Sequence, residues 1–399
     1  MMDKSSLYRV FLLNTLIAPF LGYFFKSGLI AYGPLIITML LVLLSEVLKP
    51  SVMKYRDWFA TFYFIPYTIF AAYFYIINPY EGKLLTTYFL TIFLIPLFVF
   101  VWLRLSRYNN EERFNNLIYK YISLFLIAQL VICIGQVMTY TFGFGLPVST
   151  DYESLYVITG TYTNPNDLAT IILLIAFCFS RIENTIKSNK RNITWLIIFL
   201  LLLITGSRSA LFVTLIVFLI TRKINLTSVL ATIMISFIGI FAVDFILASN
   251  NSSDIISRMA LRLESFIDIY ENGLGSDGSM SIRMESYLHF LNNLENLGLG
   301  SGEINNYYKY ATNATFQGWL LFQNPHSLIV ELGYWLGWIG LLGFLIPFGI
   351  LTYQYQRSFL FLVVALISMS ISSSVLGSFI YFLFLMLCIF CNSKIEVKE

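Results

Sequence analysis

The sequence predicts an all-α, polytopic membrane protein of about twelve transmembrane helices, with one large loop between the ninth and the tenth. Three observations predict it. Of 399 residues, 58% are hydrophobic and only 12% charged; that is about half the charge density of a soluble domain, too little to clothe a water-facing surface. Apolar runs of roughly 20 residues recur, each enough to cross a bilayer core as a helix. They are continuous rather than alternating, which excludes a barrel. Finally, the 25 Lys and Arg fall unevenly: 18 lie in loops on the side of the two termini and 7 in the opposite loops. The positive-inside rule then puts both termini in the cytoplasm.

The expected spans are 8–25, 28–48, 57–78, 84–104, 117–139, 167–182, 193–206, 209–221, 226–247, 326–350, 358–374 and 376–392. The first is read as a span rather than a signal peptide, because its apolar run is long and no small-residue cleavage site follows. Four regions result: an N-terminal transmembrane scaffold (1–140), a transmembrane core (141–247), a large extracytoplasmic loop (248–325) and C-terminal transmembrane helices (326–399). The scaffold is rich in Phe, Tyr, Leu and Ile, and is expected to face lipid and hold few buried polar residues. A net charge of +3 is accounted for by orientation signals and calls for no nucleic acid. Cys133, Cys178, Cys388 and Cys391 lie in or beside apolar runs, which implies no disulfide framework. Cys388 and Cys391 lack the two further ligands that zinc needs. Asp151 and Glu153 lack a third metal ligand and read as a solvated loop.

Polar residues concentrate in three places that the topology puts on one outer face. Tyr162-Thr163-Asn164-Pro165-Asn166 closes the outer loop 140–166, with Asp167 opening the next span. Thr205-Gly206-Ser207-Arg208-Ser209 interrupts a long apolar run. Asn324-Pro325-His326 ends the large loop, and Glu331 follows a little over one helical turn later. Arg208 has two readings: an outer turn whose guanidinium reaches the headgroups, or an anion site helped by the hydroxyls of Thr205, Ser207 and Ser209. Within the loop, Ile255, Met259, Leu263, Phe266, Ile267 and Tyr270 recur at helical spacing, with Arg258 and Arg262 on another face. A second amphipathic helix is expected from Ser281 to about Glu295, with Ile282, Leu288, Leu291 and Leu294 near one side, able to lie along the interface. Arg258, Arg262 and Arg283 either bind phosphate oxygens with bidentate forks or pair with Glu264, Asp268 and Glu285 on a salt-bridged surface. His326 can accept a proton near neutrality or bond a backbone carbonyl; His289 reads as structural.

Taken in order, these residues resemble the O-antigen ligase and polymerase superfamily of bacterial membrane glycosyltransferases. The resemblance covers about residues 155–345. It rests on Gly160-x-Tyr162-x-Asn164-Pro165-Asn166, Thr205-Gly206-Ser207-Arg208-Ser209, Arg283, Gly298-x-Gly300 and Asn324-Pro325-His326, with Glu331, Gly337 and Gly340 following. Ser327 stands where many members carry asparagine. The resemblance implies a fold related to the GT-C glycosyltransferases, undecaprenyl-diphosphate-linked glycans as substrates, a chain-length regulator (Wzz-like) as partner, and a reaction without metal or cofactor.

On that basis Arg208 and Arg283 are expected to hold the donor diphosphate, and His326, oriented by Glu331, to deprotonate the acceptor hydroxyl in an inverting displacement. Asn164, Asn166, Ser207, Arg258, Arg262 and Asn324 are expected to line the substrate site. A Wzy-type polysaccharide polymerase is the favoured activity. A ligase that transfers the glycan to lipid A core or protein is the alternative, and a flippase for lipid-linked sugars is a third. The flippase is disfavoured because no inverted repeat is visible and the polar clusters gather on one side. The topology has a direct test. A Ser276→Cys variant is expected to label with a membrane-impermeant thiol reagent in intact cells or spheroplasts; protection there, with labelling of Lys398→Cys, would reverse the arrangement.

Overall fold

The computed structural model describes residues 4–48, 55–77, 83–108, 111–148, 158–222, 327–371 and 378–391, and most of 284–298. Among the described residues the regular elements are all helical, the main ones being α1 (Lys4–Phe25), α2 (Gly28–Leu48), α3 (Tyr55–Phe62), α4 (Ile65–Ile77), α5 (Lys83–Tyr108), α6 (Glu111–Phe142), α7 (Pro165–Ile182), α8 (Ser188–Thr205), α9 (Arg208–Arg222), α10 (Leu328–Leu351), α11 (Phe359–Ile371) and α12 (Phe379–Phe390). Helices occupy every expected span except 226–247, which lies outside the described residues. Five are long and apolar enough to cross a membrane: Lys4–Phe25, Gly28–Leu48, Glu112–Tyr140, Pro165–Thr185 and Leu336–Gln356. Large apolar side chains such as Leu29, Ile69, Phe212 and Phe359 stand exposed on their outer faces, as lipid contact requires.

Two helices form the axis of the bundle. Fifteen of the 18 residues of α7 are buried, and so is every residue of α12. Helices that are apolar all round belong in an interior, and these two pack against each other, with α5, α9 and α11 around them. Trp102 on α5 donates its indole N–H to the Leu383 carbonyl on α12 at 2.9 Å. The C-x-x-C of α12 meets α7: Cys178 Sγ lies 2.8 Å from Cys391 Sγ, and the Cys388 thiol donates to the Leu174 carbonyl at 3.2 Å.

Two expected spans are broken, each for a local reason. Pro66 has no N–H to give the carbonyl of Phe62, so the helix is interrupted at 63–64 and 57–78 divides into α3 and α4. In α10 the backbone leaves the helix at Gly337 (φ 61°, ψ −157°), a conformation open only to glycine. The Trp338 N–H thereby reaches the Gly298 carbonyl at 3.0 Å, and its indole reaches the Leu294 carbonyl at 3.1 Å.

The scaffold differs from its expected apolar character, because Glu46, Asp57, Arg104, Gln129 and Gln136 are all buried within it. Window-averaged hydropathy conceals them, since each polar group is paired and embedded among apolar neighbours. Glu46 accepts from Arg104 at 2.7 Å and from Lys4 at 3.0 Å, joining α2 to α5 and α1. Asp57 is paired with Arg107 and accepts from the Tyr355 hydroxyl at 3.0 Å. Glu183 accepts from the Trp195 indole at 2.8 Å and pairs with Arg222 at 3.5 Å. These ion pairs gather at one end of the bundle, where α1 and α8 begin and α2, α5, α7 and α9 finish.

Removing one partner strands the other as an unpaired buried charge, at about 3–5 kcal/mol. Glu46→Ala is therefore expected to lower the thermal unfolding temperature in detergent sharply. Glu46→Ala combined with Arg104→Met should lower it less than Glu46→Ala alone. Equal losses in the two variants would show that the stranded Arg104 charge carries no penalty of its own.

Candidate functional site

The polar site at the opposite end is built on two glutamines of α6. Gln136 donates to the Gly160 carbonyl (2.8 Å) and the Pro147 carbonyl (3.1 Å), and its Oε1 accepts from the N–H groups of Gly160 (2.9 Å) and Thr159 (3.2 Å). Two turns away, Gln129 donates to the Thr161 hydroxyl at 2.7 Å and accepts the Thr161 N–H at 3.2 Å. Both side chains are fully buried. In a lipid environment each of those backbone groups would otherwise cost several kcal/mol. Gly160 permits the clamp. Its φ is +62°, and a Cβ there would sit 2.6 Å from Leu168 Cδ2 and 2.8 Å from Gln129 Oε1.

The clamped segment delivers the chain to α7. Asn164 is extended (φ −125°, ψ 135°), and its Oδ1 accepts the Asn166 N–H at 2.8 Å. Pro165 occupies the first helical position, where its missing N–H costs nothing, and Asp167 places a carboxylate in the first turn. Asn164 thus acts as a helix cap, and Asn166 receives it through its backbone. Just before them, Tyr162 is held neutral: burial raises its phenol well above the ordinary value, with Tyr32 and Asp167 adding to the shift.

Helices α8 and α9 form the second wall. α8 starts beside α6, with Lys190 and Lys120 lining one cleft, and runs in the same direction. Its far end therefore lies with Gln136, Gly160 and Asn164. There Gly206 closes α8 in the left-handed region (φ 66°), and its N–H caps the carbonyls of Leu202 and Leu203. Ser207 is buried, and its carbonyl accepts the Leu211 N–H at 3.0 Å. Arg208 follows at once as the first residue of α9, half-buried. Since α9 packs along α7 and its last residue, Arg222, meets Glu183 just past the end of α7, the two helices start at the same end. A guanidinium on a helix N-terminus adds positive charge to an already positive end, an arrangement that favours a bound anion.

The start of α10 completes the group. Ser327 caps it, its Oγ accepting from the Val330 N–H, and Glu331 is buried in the first turn. Serine and asparagine are equally good caps, which gives a physical reason for Ser327 where the resembled family often has asparagine. The Tyr287 hydroxyl donates to Ser327 Oγ at 2.7 Å and bonds Ser370 on α11, tying Tyr287 to this end. The buried face of that segment is Ser286, Phe290 and Leu297, while Leu288 and Leu291 are exposed. Of the side expected to be apolar, Leu288 and Leu291 are exposed, Leu294 is half-buried against the core and Ile282 lies outside the described residues; Phe290 is the anchor, its ring filling the space where a Cβ on Gly333 would stand.

Of the expected site residues, Asn164, Asn166, Ser207, Arg208 and Glu331 fall at one end of the bundle. Arg258, Arg262, Arg283, Asn324 and His326 lie outside the described residues, as do His289, Asp151 and Glu153. Gln129 and Gln136 were not anticipated. Their signal was two amides one heptad apart in an otherwise apolar span, where polar side chains need a specific partner.

These observations define a polytopic helical membrane protein with a polar, cation-bearing site at one end of its bundle. The model of the family described as O-antigen ligase matches residues 193–345, and this match supports the O-antigen ligase and polymerase superfamily for the chain. No curated protein matches it.

Gln136→Leu keeps the volume but strands the N–H and carbonyl groups of 159–160, each worth about 1–3 kcal/mol when buried unpaired. It is expected to lower the thermal unfolding temperature more than Gln129→Leu, which strands fewer groups. Gly160→Ala should be at least as damaging, from strain and from contact with Leu168. Wild-type unfolding in both Gln136→Leu and Gly160→Ala would contradict the clamp.

Proposed function

We propose that the chain is a polysaccharide polymerase, joining undecaprenyl-diphosphate-linked repeat units at the outer face of the cytoplasmic membrane. The observation that supports it best is Arg208: a half-buried guanidinium at the N-terminus of α9, two residues past the left-handed Gly206 and at the end of the bundle where α7 starts. A diphosphate leaving group carries the charge that such a site favours, and an arginine fork matches its oxygens bidentately. Arg208 and Arg283 hold the donor and neutralise the departing diphosphate, with Arg258 and Arg262 adding positive charge nearby. His326, oriented by Glu331, takes the proton of the acceptor hydroxyl, which attacks the anomeric carbon and inverts it. Asn324 and Ser207 line the sugar path, and no metal or cofactor takes part. Asn164 and Asn166 contribute by setting where α7 begins.

Ligation is the second reading, favoured by the description of the matching family as O-antigen ligase. In a polymerase the acceptor is another lipid-linked repeat, and a chain-length regulator can act on it. In a ligase the acceptor is lipid A core or protein. Purified protein incubated with lipid-linked repeat units alone separates the two. A ladder of lengthening products is expected. Transfer only when a lipid A core acceptor is added would establish the ligase, and lipid-linked sugar crossing a bilayer without new glycosidic bonds would establish a flippase.

Arg208→Ala is expected to abolish the ladder while the protein still inserts, and Arg208→Lys to restore it only partly, since lysine keeps charge but loses the fork. His326→Ala should slow turnover on the order of 10²–10⁴-fold, the usual worth of a positioned base, while donor binding survives. Wild-type activity should fall as pH drops through the imidazole titration, because the base must be neutral. A normal ladder from His326→Ala would remove it from the chemistry.

A further inference from the structure

A second polar feature lies at the other end of the bundle from Arg208, on the lipid-facing side of α6 and α8. The two helices enclose a cleft of about 410 Å³, open laterally, with Lys120 and Lys190 at one end. On α6, Lys120, Leu124 and Ile127 stand at i, i+4 and i+7; on α8, Lys190, Ile193 and Ile197 stand at i, i+3 and i+7. Each set is one helix face. Both faces run over seven residues from a lysine to an isoleucine, about 10 Å at the usual rise, with Ser123 and Thr194 the polar members between. The cleft therefore has the gradient of half a bilayer: two positive charges at its mouth and a greasy slot leading inward.

Further features mark it as a site for a ligand rather than a seam. The Ser123 hydroxyl lines the cleft with its oxygen shielded from solvent and without a hydrogen-bond partner among the described residues. At the mouth, α8 begins at Ser188 with no side-chain cap and no acidic residue in its first turn. Its first N–H groups and Lys187, Lys190 and Arg191 thus concentrate positive potential at one point. Lysines serving only as orientation signals need no cleft beside them. By contrast, Lys4 and Arg104 at the same end are engaged with Glu46.

We propose that this cleft binds one anionic glycerophospholipid, its phosphate between Lys120 and Lys190 and an acyl chain along Leu124, Ile127, Ile193 and Ile197. The size agrees with a bound small molecule, and the slot is too short to seat a transmembrane helix of a partner along its length. With the termini in the cytoplasm, the lipid belongs to the cytoplasmic leaflet, whose anionic lipids attract such lysines. It would brace α6, which carries the Gln129 and Gln136 clamp, against α8, which carries the Gly206 turn. The proposal is independent of the reading of the Arg208 end.

Native mass spectrometry of the full chain with phosphatidylglycerol or phosphatidylcholine of the same acyl length tests it. The wild type should retain one phosphatidylglycerol in preference to phosphatidylcholine. Lys120→Gln with Lys190→Gln should weaken that retention about thirty-fold, roughly a factor of five for each surface lysine. Ile193→Trp, at an exposed position, should block the slot and weaken retention with both charges in place. Arg9→Gln with Arg357→Gln, exposed cations outside the cleft, should leave retention unchanged. Equal binding of the two lipids, or equal losses from the two charge pairs, would overturn the proposal. So would a change of oligomeric state in Ile193→Trp without loss of lipid, which would make the face a protein interface.

Discussion

The architecture depends on one constraint: inside a bilayer a backbone group that leaves its helix must find its partner in the protein. The chain leaves helical geometry between α6 and α7, and Gln136 answers it by serving two N–H groups and two carbonyls at once. Gln129 holds the next residue, and Gly160 supplies the positive φ that lets the segment lie against α6. With that segment fixed, Asn164 has only one place to cap α7, and α7 is the axis around which α9, α11 and α12 pack. A loop in the usual sense would not do this. Residues 158–161 are buried and held by side-chain hydrogen bonds, although they lack regular structure.

The placement of Arg208 follows from the same logic applied to α8 and α9. A left-handed glycine lets α8 stop and α9 start within two residues, so the turn stays narrow and its carbonyls are capped from within. The first residue after it inherits the open N–H groups of a new helix. Placing arginine there is unfavourable for a free helix by about 0.3–1 kcal/mol, and it becomes favourable once an anion arrives. At the far end Glu46, Asp57 and Glu183 each meet cations within the protein. The Arg208 end gathers helix starts, hydroxyls and the carboxylates of Asp167 and Glu331 together with the guanidinium.

Much of this was legible in the amino-acid order because it is local. Apolar runs gave the helices, Tyr162–Asn166 marked the loop before α7 with the helix start placed two residues late at Asp167, and Thr205–Ser209 marked the interruption at Arg208. What could not be read depends on distant partners. Gln136 and Gly160 are 24 residues apart, and Tyr287 and Ser327 are 40 apart, with nothing in either sequence neighbourhood to pair them. Buried Glu46 and Arg104 vanish into windows dominated by leucine and phenylalanine. Among residues 284–292 both Phe290 and Leu291 are apolar, so periodicity cannot say which of the two packs on the protein and which is left exposed. The break at Gly337 was hidden too, because glycine is common in membrane helices and only its φ and ψ disclose the bend.

The central claim is that the anion of the substrate docks where α7 and α9 begin. Photo-cross-linking tests it most directly, with an undecaprenyl-diphosphate-linked sugar whose photoreactive group sits on the isoprene nearest the diphosphate. Adducts are expected on the first turns of α9 and α7, around Arg208–Phe212 and Asn164–Leu168, and an excess of unlabelled lipid-linked sugar should suppress them. Adducts confined to the opposite end, near Lys120 and Lys190, with none at either helix start, would contradict the account.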